Sequence, residues 1–145
     1  VAIDKEMPDP QYPGAKFLLY LPDGENHELT LLFLHYLLRG RHQKVVYLGA
    51  GITINDLRDA AQSFQPDYVY TILNDPLPRQ SIQTYLDNAA KAVGSAQFLL
   101  SGAQLYVNPV KIPANARRLD GLPDTLRFMD ALAKTQQPES PRGGD

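Results

Sequence analysis

Short apolar runs alternate along the chain with longer stretches in which apolar residues recur every three or four positions. Runs typical of buried strands cover residues 17–21, 44–48, 68–73, 98–100 and, most weakly, 117–119. Helical periodicity covers about residues 26–40, 54–64, 79–93 and 123–133, with a short helical stretch after residue 103. This alternation predicts an α/β domain in which a five-stranded parallel sheet carries helices on both faces.

The first predicted helix is apolar over more than one face. We expect its inward stripe to be formed by Leu29, Phe33, Tyr36 and Leu37, with Leu32 beside it. The remaining apolar side chains, Leu31, Leu34 and Leu38, extend beyond that stripe. Part of this helix is therefore expected to be covered by a partner domain or subunit.

Turn residues mark the ends of the other elements and of the domain. Gly49-Ala50-Gly51 predicts a close turn, and Thr53 is a good N-cap for the second helix, with Asp56 in its first turn. Residues 1–15 contain three prolines, which indicates an extended lead-in. We expect residues 16–134 to form one domain and residues 135–145 to form a disordered tail. The chain starts with Val rather than Met, which fits a processed chain or a piece of a longer one.

Composition narrows the function classes. The 145 residues are 43% hydrophobic and 21% charged, with a net charge of −2, which gives no overall attraction to nucleic acid. The absence of cysteine excludes thiol nucleophiles, thiolate metal sites and disulfides. No apolar run approaches ~20 residues and no signal peptide is visible, so a soluble, cytoplasmic protein is expected.

The junction after the first strand is the main candidate for a site of chemistry. A Pro-Asp-Gly turn breaks the strand and brings Glu25 and His27 to the start of the first helix. Ligands of parallel α/β sheets bind at the carboxyl ends of the strands. A carboxylate there orients an imidazole by holding one ring nitrogen, which leaves the other nitrogen for a metal. The alternative is a solvated or capping histidine.

Several motifs in this order resemble those of cobalamin-binding domains over about residues 16–133. Glu25-Asn26-His27-Glu28-Leu29-Thr30 stands where that family has Asp-x-His-x-x-Gly, Thr71-Ile72-Leu73 where it has Ser-x-Leu, and Gly102-Ala103 where it has Gly-Gly. The chain thus resembles the cobalamin-binding modules of methionine synthase and methylmalonyl-CoA mutase. The resemblance implies a flavodoxin-like (Rossmann-like) fold with strand order 2-1-3-4-5.

The resemblance also implies a cofactor and a role for each matching residue. The cofactor is cobalamin, as adenosylcobalamin or methylcobalamin, with His27 as the lower cobalt ligand and Glu25 as the acceptor that orients its ring. The displaced nucleotide tail lies beside the sheet in a slot implied for Gly49, Thr71, Leu73, Gly102 and Ala103. Thr30 and Ala103 replace glycines of the family and add side-chain volume near the expected corrin and tail.

The run from His27 to Gly49 more particularly resembles the C-terminal domain of MerR-family transcriptional regulators, some of which sense light through adenosylcobalamin. This resemblance implies a sensory or regulatory module that is not an enzyme. Contact with DNA would be made by a separate N-terminal domain that is not in this chain, homo-oligomers are expected, and no membrane contact is expected. The alternative is a degenerate, cofactor-free domain that mediates oligomerisation or domain contact.

Rival site classes fit the spacing less well. A phosphoacceptor receiver would use Asp23, Glu25, Asp75, Ser101 and Lys111, but the last two are only ten positions apart, which leaves no room for a helix and a strand. The spacing of His27, His35 and His42 does not match a zincin helix. No Gly-x-Gly-x-x-Gly follows the first strand, so dinucleotide binding is also disfavoured.

Overall fold

The computed structural model describes residues 14–107 and 109–136, with five strands and five helices in this part of the chain. The strands are β1 (Lys16–Pro22), β2 (Lys44–Ile52), β3 (Tyr68–Ile72), β4 (Gln97–Ser101) and β5 (Ala116–Arg118). The helices are α1 (Glu28–Gly40), α2 (Ile54–Phe64), α3 (Ile82–Ala92), α4 (Gln104–Val107) and α5 (Gly121–Gln136).

All strand pairs are parallel, and the spatial order is β2-β1-β3-β4-β5. This arrangement confirms the predicted flavodoxin-like α/β fold and its strand order. The predicted lead-in and tail fall largely on residues 1–13 and 137–145, which lie outside the described residues. Within the described ranges, no helix has the length and apolar character needed to cross a membrane.

Each face of the sheet carries its own hydrophobic core. Because side chains alternate along a strand, neighbouring residues of β1 contribute to opposite cores. One core packs against α2 and α3 and includes Leu18, Tyr20 and Phe98. The other packs against α1 and α5 and includes Phe17, Leu19 and Met129. The central strands are therefore apolar on both faces, which explains their nearly continuous hydrophobic runs.

The inward face of α1 differs from the predicted stripe. Leu31, Leu34 and Leu38 are buried against the sheet. The residues predicted to face inward are largely exposed, at 82% for Leu29, 44% for Leu32, 47% for Phe33 and 77% for Tyr36. Leu37 is only partly buried at the edge of that core. Both sets are apolar at helical spacing, so periodicity alone could not select the face that meets the sheet.

Several element boundaries also differ from the prediction. The segment predicted to turn at Gly49-Ala50-Gly51 continues strand β2 to Ile52, with register shifts opposite Tyr20 that accommodate the positive φ angles of both glycines. Helix α3 begins at Ile82 rather than near residue 79, because the Ser81 side chain caps the Thr84 N–H. The predicted cap of α2 is confirmed: the Thr53 hydroxyl accepts from the Asp56 N–H at 3.0 Å.

Candidate functional site

The loop between β1 and α1 carries a buried carboxylate at the carboxyl edge of the sheet. The Glu25 side chain is fully buried, and its Oε1 accepts hydrogen bonds from the backbone N–H groups of Asn74 at 2.8 Å and Asp75 at 2.9 Å. The Glu25 N–H in turn donates to the Pro22 carbonyl at 3.2 Å. The bonds to Oε1 join the loops that follow β1 and β3.

His27 is oriented by the other oxygen of the same carboxylate. Its Nδ1 contacts Glu25 Oε2, and an ionised carboxylate only accepts, so in the neutral ring the proton lies on Nδ1. Nε2 then carries the lone pair, and it makes no hydrogen bond within the described ranges. His27 occupies the N-cap position of α1 but makes no side-chain capping bond, and its side chain is 43% exposed. This arrangement disfavours the capping alternative and leaves a ligand nitrogen at the surface.

Asp75 is the third group of this site. Its Oδ2 lies 3.8 Å from His27 Nδ1 and accepts from the Asn26 N–H at 3.3 Å. The ligand atoms of Glu25, His27 and Asp75 all lie within 4.8 Å of one another. From the sequence, Asp75 was a candidate only within the receiver pattern, although the Asn-Asp-Pro turn after a strand marks it as a residue at the same edge.

A cleft of about 300 Å³ opens beside this loop on the side of the sheet that carries α1 and α5. Its walls come from α1, the ends of β3 and β4, α4 and the start of α5. The lining residues are Thr30, Tyr70, Ile72, Asn74, Ser101, Gly102, Ala103, Tyr106, Gly121 and Leu122. Aromatic and aliphatic side chains stand beside a few hydroxyl and amide groups, as in sites that bind organic ligands.

Three of the predicted site residues, Thr30, Gly102 and Ala103, line the cleft. The Ala103 N–H donates to Asn74 Oδ1 at 2.8 Å, which connects the two loops. Gly102 has a φ of +123°, and a Cβ there would lie 2.4 Å from the Leu73 carbonyl oxygen. Glycine is required at position 102 because the chain passes against the end of β3.

Three other predicted site residues do not line the cleft. Along β3, Thr71 faces the α2 and α3 side together with Val69 and Leu73, whereas Tyr70 and Ile72 face the cleft side. The Thr71 hydroxyl is buried and donates to the Tyr20 carbonyl at 2.8 Å. Gly49 lies on β2, where an added Cβ would come within 3.5 Å of Glu28 Oε2.

Ser101 takes the place in the cleft that was expected for Thr71. It ends β4 on the cleft side and is nearly buried. Burial raises the pKa of the neighbouring Tyr70, and hydrogen bonds to Thr125 and Ser101 oppose part of that rise. The Tyr70 hydroxyl is therefore neutral near pH 7, so the deep end of the cleft presents uncharged hydroxyl groups.

The outer wall of the cleft is aromatic and carries charge nearby. The Tyr106 ring lies 4.6 Å from the Arg118 guanidinium, and its hydroxyl donates to Asp120. Neither Tyr106 nor Leu122 was singled out from the sequence, because a four-residue helix and a helix start carry no periodic signal. Their positions were the available indication, since Tyr106 follows β4 and Leu122 follows β5.

The three histidines do not form one site. His35 lies on α1 and stacks on Tyr47 with ring centroids 5.3 Å apart. His42 follows α1 at the opposite edge of the sheet, with a φ of +64°.

Lys111 lies in the loop before β5, where its N–H donates to Gln83 Oε1 of α3. A receiver site requires its lysine after the fifth strand, so Lys111 does not have the required position.

Comparison with known proteins identifies the fold. No family model matches the sequence, and no curated protein matches it. The methanol:cobalamin methyltransferase complex MtaBC from Methanosarcina barkeri superposes with a TM-score of 0.64 at 16% identity, over 85% of this chain and 48% of that chain. A receiver domain protein from Bacillus halodurans gives 0.54 at 14% identity, over 87% and 99%. The REC domain of the response regulator PhyR from Erythrobacter litoralis gives 0.51 at 16% identity, over 88% and 95%.

These likenesses establish a flavodoxin-like fold, which the matched chain of the methyltransferase complex and the receiver domains share. The chain spans about half the length of the matched chain of the MtaBC complex. At such identities the likeness concerns the fold alone. The function must therefore be inferred from the side chains at the carboxyl edge, because this fold supports several functions.

Proposed function

We propose that this domain binds cobalamin and that His27 is the lower ligand of its cobalt. One observation carries the proposal: His27 is held through Nδ1 by buried Glu25, while no described residue bonds to Nε2 at the carboxyl edge. An orienting carboxylate fixes the tautomer of a ligand histidine and raises the basicity of its free nitrogen. The ring thus has a fixed orientation although 43% of the side chain is exposed.

The cleft beside the loop supports the same proposal. It extends from Thr30 of α1 to Gly102 and Ala103 after β4, three of the motif positions that the family resemblance places near corrin or tail. Its apolar and aromatic walls suit the nucleotide base of a displaced tail, and the Ser101 hydroxyl and the Asn74 side chain supply polar contacts. Bound cobalamin would supply the organometallic chemistry, while Glu25 and His27 would hold and orient it.

We further propose that the domain is a regulatory module of a MerR-type transcription factor, with DNA contacted by a separate domain. The support is the sequence resemblance of the run from His27 to Gly49. To transmit a signal, the domain would need two conformations that bind the cofactor with different affinities. The exposed apolar face of α1 offers a surface where another domain could respond to that change.

The visible absorption spectrum after incubation with cobalamin and removal of unbound ligand tests the proposal. The wild-type chain should retain corrin absorbance with the spectrum of a histidine-ligated cobalt. His27→Ala should lose that spectral form, whereas His42→Asn at the opposite edge should keep it. Retention of an unchanged spectrum by His27→Ala would remove this histidine from the cobalt site.

A second candidate function is a cofactor-free interaction module, and the exposure of α1 favours it specifically. Leu29, Phe33 and Tyr36 present a continuous apolar strip to solvent. Such a strip is typical of an interface with another domain or a second subunit. A chain that retains no corrin but self-associates, and loses association in Phe33→Ser with Tyr36→Ser, would favour this candidate.

A further inference from the structure

We propose that Glu25, His27 and Asp75 form a binding site for one divalent transition-metal cation, best represented by Zn²⁺. Their three ligand atoms, a ring nitrogen and two carboxylate oxygens, lie within 4.8 Å of one another. One imidazole and two carboxylates form a donor set that suits Zn²⁺ and similar cations. Three protein ligands would leave a position for water or another ligand.

Two loops build this site, and backbone hydrogen bonds fix both. Glu25 follows β1, and its Oε1 is fully engaged by the N–H groups of Asn74 and Asp75, so that Oε2 is turned toward His27. Asp75 follows β3 and is held through Oδ2 by the Asn26 N–H. The ligands are therefore positioned before any cation binds, which reduces the entropy that binding would otherwise lose.

The distances between the donor atoms are close to those that Zn²⁺ coordination requires. Zn²⁺ bonds of ~2.0–2.2 Å at tetrahedral angles place neighbouring ligand atoms roughly 3.3–3.6 Å apart. His27 Nδ1 and Asp75 Oδ2 are already 3.8 Å apart. Nδ1 and Glu25 Oε2 are closer because a proton lies between them, and a cation would replace that proton as the two atoms move apart.

The charge around the site also favours a cation. In residues 14–107 and 109–136, His27 is the only group that could carry positive charge within ion-pair distance of Glu25 or Asp75. Two carboxylates thus share one imidazole, and one of them is fully buried. Asp75 and His27 remain partly exposed, with 35% and 43% of their side chains accessible, so a cation has a route from solvent.

Binding at Nδ1 has a consequence for the opposite ring nitrogen. A neutral imidazole has one lone pair, so coordination through Nδ1 moves the proton to Nε2. Nε2 then cannot act as a ligand. If His27 holds cobalt as proposed above, the divalent cation and cobalamin exclude each other, and Zn²⁺ would act as an antagonist of cofactor binding. This last step alone rests on the proposed function.

Calorimetric titration of the cofactor-free full chain with Zn²⁺ tests the cation site. We expect one Zn²⁺ per chain, with affinity reduced at least about tenfold in Asp75→Asn and in His27→Ala. Asp59→Asn removes an exposed carboxylate outside the cluster and should bind as the wild type does. In nitrogen-15 spectra of the histidine rings, Zn²⁺ should move the His27 proton from Nδ1 to Nε2.

Absence of saturable one-to-one binding would overturn the cation site. Equal affinity in the wild type and Asp75→Asn would do the same, as would an Nδ1 proton that persists when Zn²⁺ is bound. Failure of the cobalamin proposal gives a different result: the chain would retain no corrin but would still bind Zn²⁺ through these three residues. Asp75→Asn keeps the Glu25 to His27 contact and therefore separates the two sites.

Discussion

Glu25 and Asn74 are joined by a 2.8 Å hydrogen bond from the Asn74 N–H to the buried carboxylate, although 49 positions separate them in the chain. Because the Asn74 side chain also accepts from the Ala103 N–H, this residue connects the histidine loop to the loop that lines the cleft. The orientation of His27 therefore depends on the same turn after β3 that shapes the cleft.

Glu25→Gln should lower the free energy of unfolding by about 1–3 kcal/mol and weaken cobalamin binding. Both carboxylate oxygens accept hydrogen bonds, one from two N–H groups and one from His27, and an amide offers only one oxygen. Urea unfolding measures the first effect and corrin retention the second. Asp59→Asn is the matched control, and equal stability of Glu25→Gln and the wild type would show that these bonds do not hold the loop.

Gly102→Ala should destabilise the chain by more than ~2 kcal/mol, whereas Gly40→Ala should stabilise it by about 0.4–1 kcal/mol. At position 102 the added Cβ meets the Leu73 carbonyl at a positive φ, while at position 40 it meets nothing within 4 Å. Thermal and urea unfolding of the two variants provide the comparison. A Gly102→Ala variant as stable as Gly40→Ala would contradict the close approach of these loops.

Stability should fall as the pH decreases below about 6.5, in part because of His35. Its pKa is lowered, first by burial and then by Arg39, and Nε2 is buried without a hydrogen-bond partner in the described part of the chain. The unfolded chain thus takes up a proton at higher pH than the folded chain does. His35→Phe preserves a ring against Tyr47 and should flatten the pH dependence of the urea midpoint below about pH 6.5. An unchanged slope would exclude His35 as a cause.

The sequence was sufficient for the fold because the apolar runs of the parallel strands are buried on both faces and the caps act locally. Thr53 and Asp56 cap α2 as predicted, with no contribution from distant residues. The face of α1 could not be predicted in the same way. Leu31 and Leu29 are equally apolar, and only packing against the sheet separates the buried one from the exposed one.

The site was partly predictable for a related reason. Glu25 and His27 lie two residues apart at a strand end, so their contact is local and visible in the sequence. Asp75 and Asn74 join them through the tertiary pairing of β1 with β3, which one sequence does not display. Thr71 was matched by motif order, but alternation along β3 turns its hydroxyl to the other face, and Ser101 takes that place in the cleft.

Thr30→Gly combined with Ala103→Gly should strengthen cobalamin binding by about 5- to 150-fold, because relief of overpacking typically contributes ~1–3 kcal/mol. Both side chains line the cleft and replace glycines of the family motif. Calorimetric titration compares the double variant with the wild type. Thr84→Gly, at the equivalent third position of α3 and exposed, controls for the helical cost of glycine. Equal affinities would show that steric crowding at these positions does not limit binding.

Electron paramagnetic resonance of bound cob(II)alamin tests the ligand role of His27 most directly. Superhyperfine splitting identifies the nitrogen below the cobalt, since nitrogen-14 splits each line into three and nitrogen-15 into two. With histidine labelled by nitrogen-15, the account predicts doublets in the wild type and in His42→Asn, and their loss in His27→Ala. Triplets from the labelled wild-type chain would mean that the cofactor retains its own base, which would contradict ligation by His27.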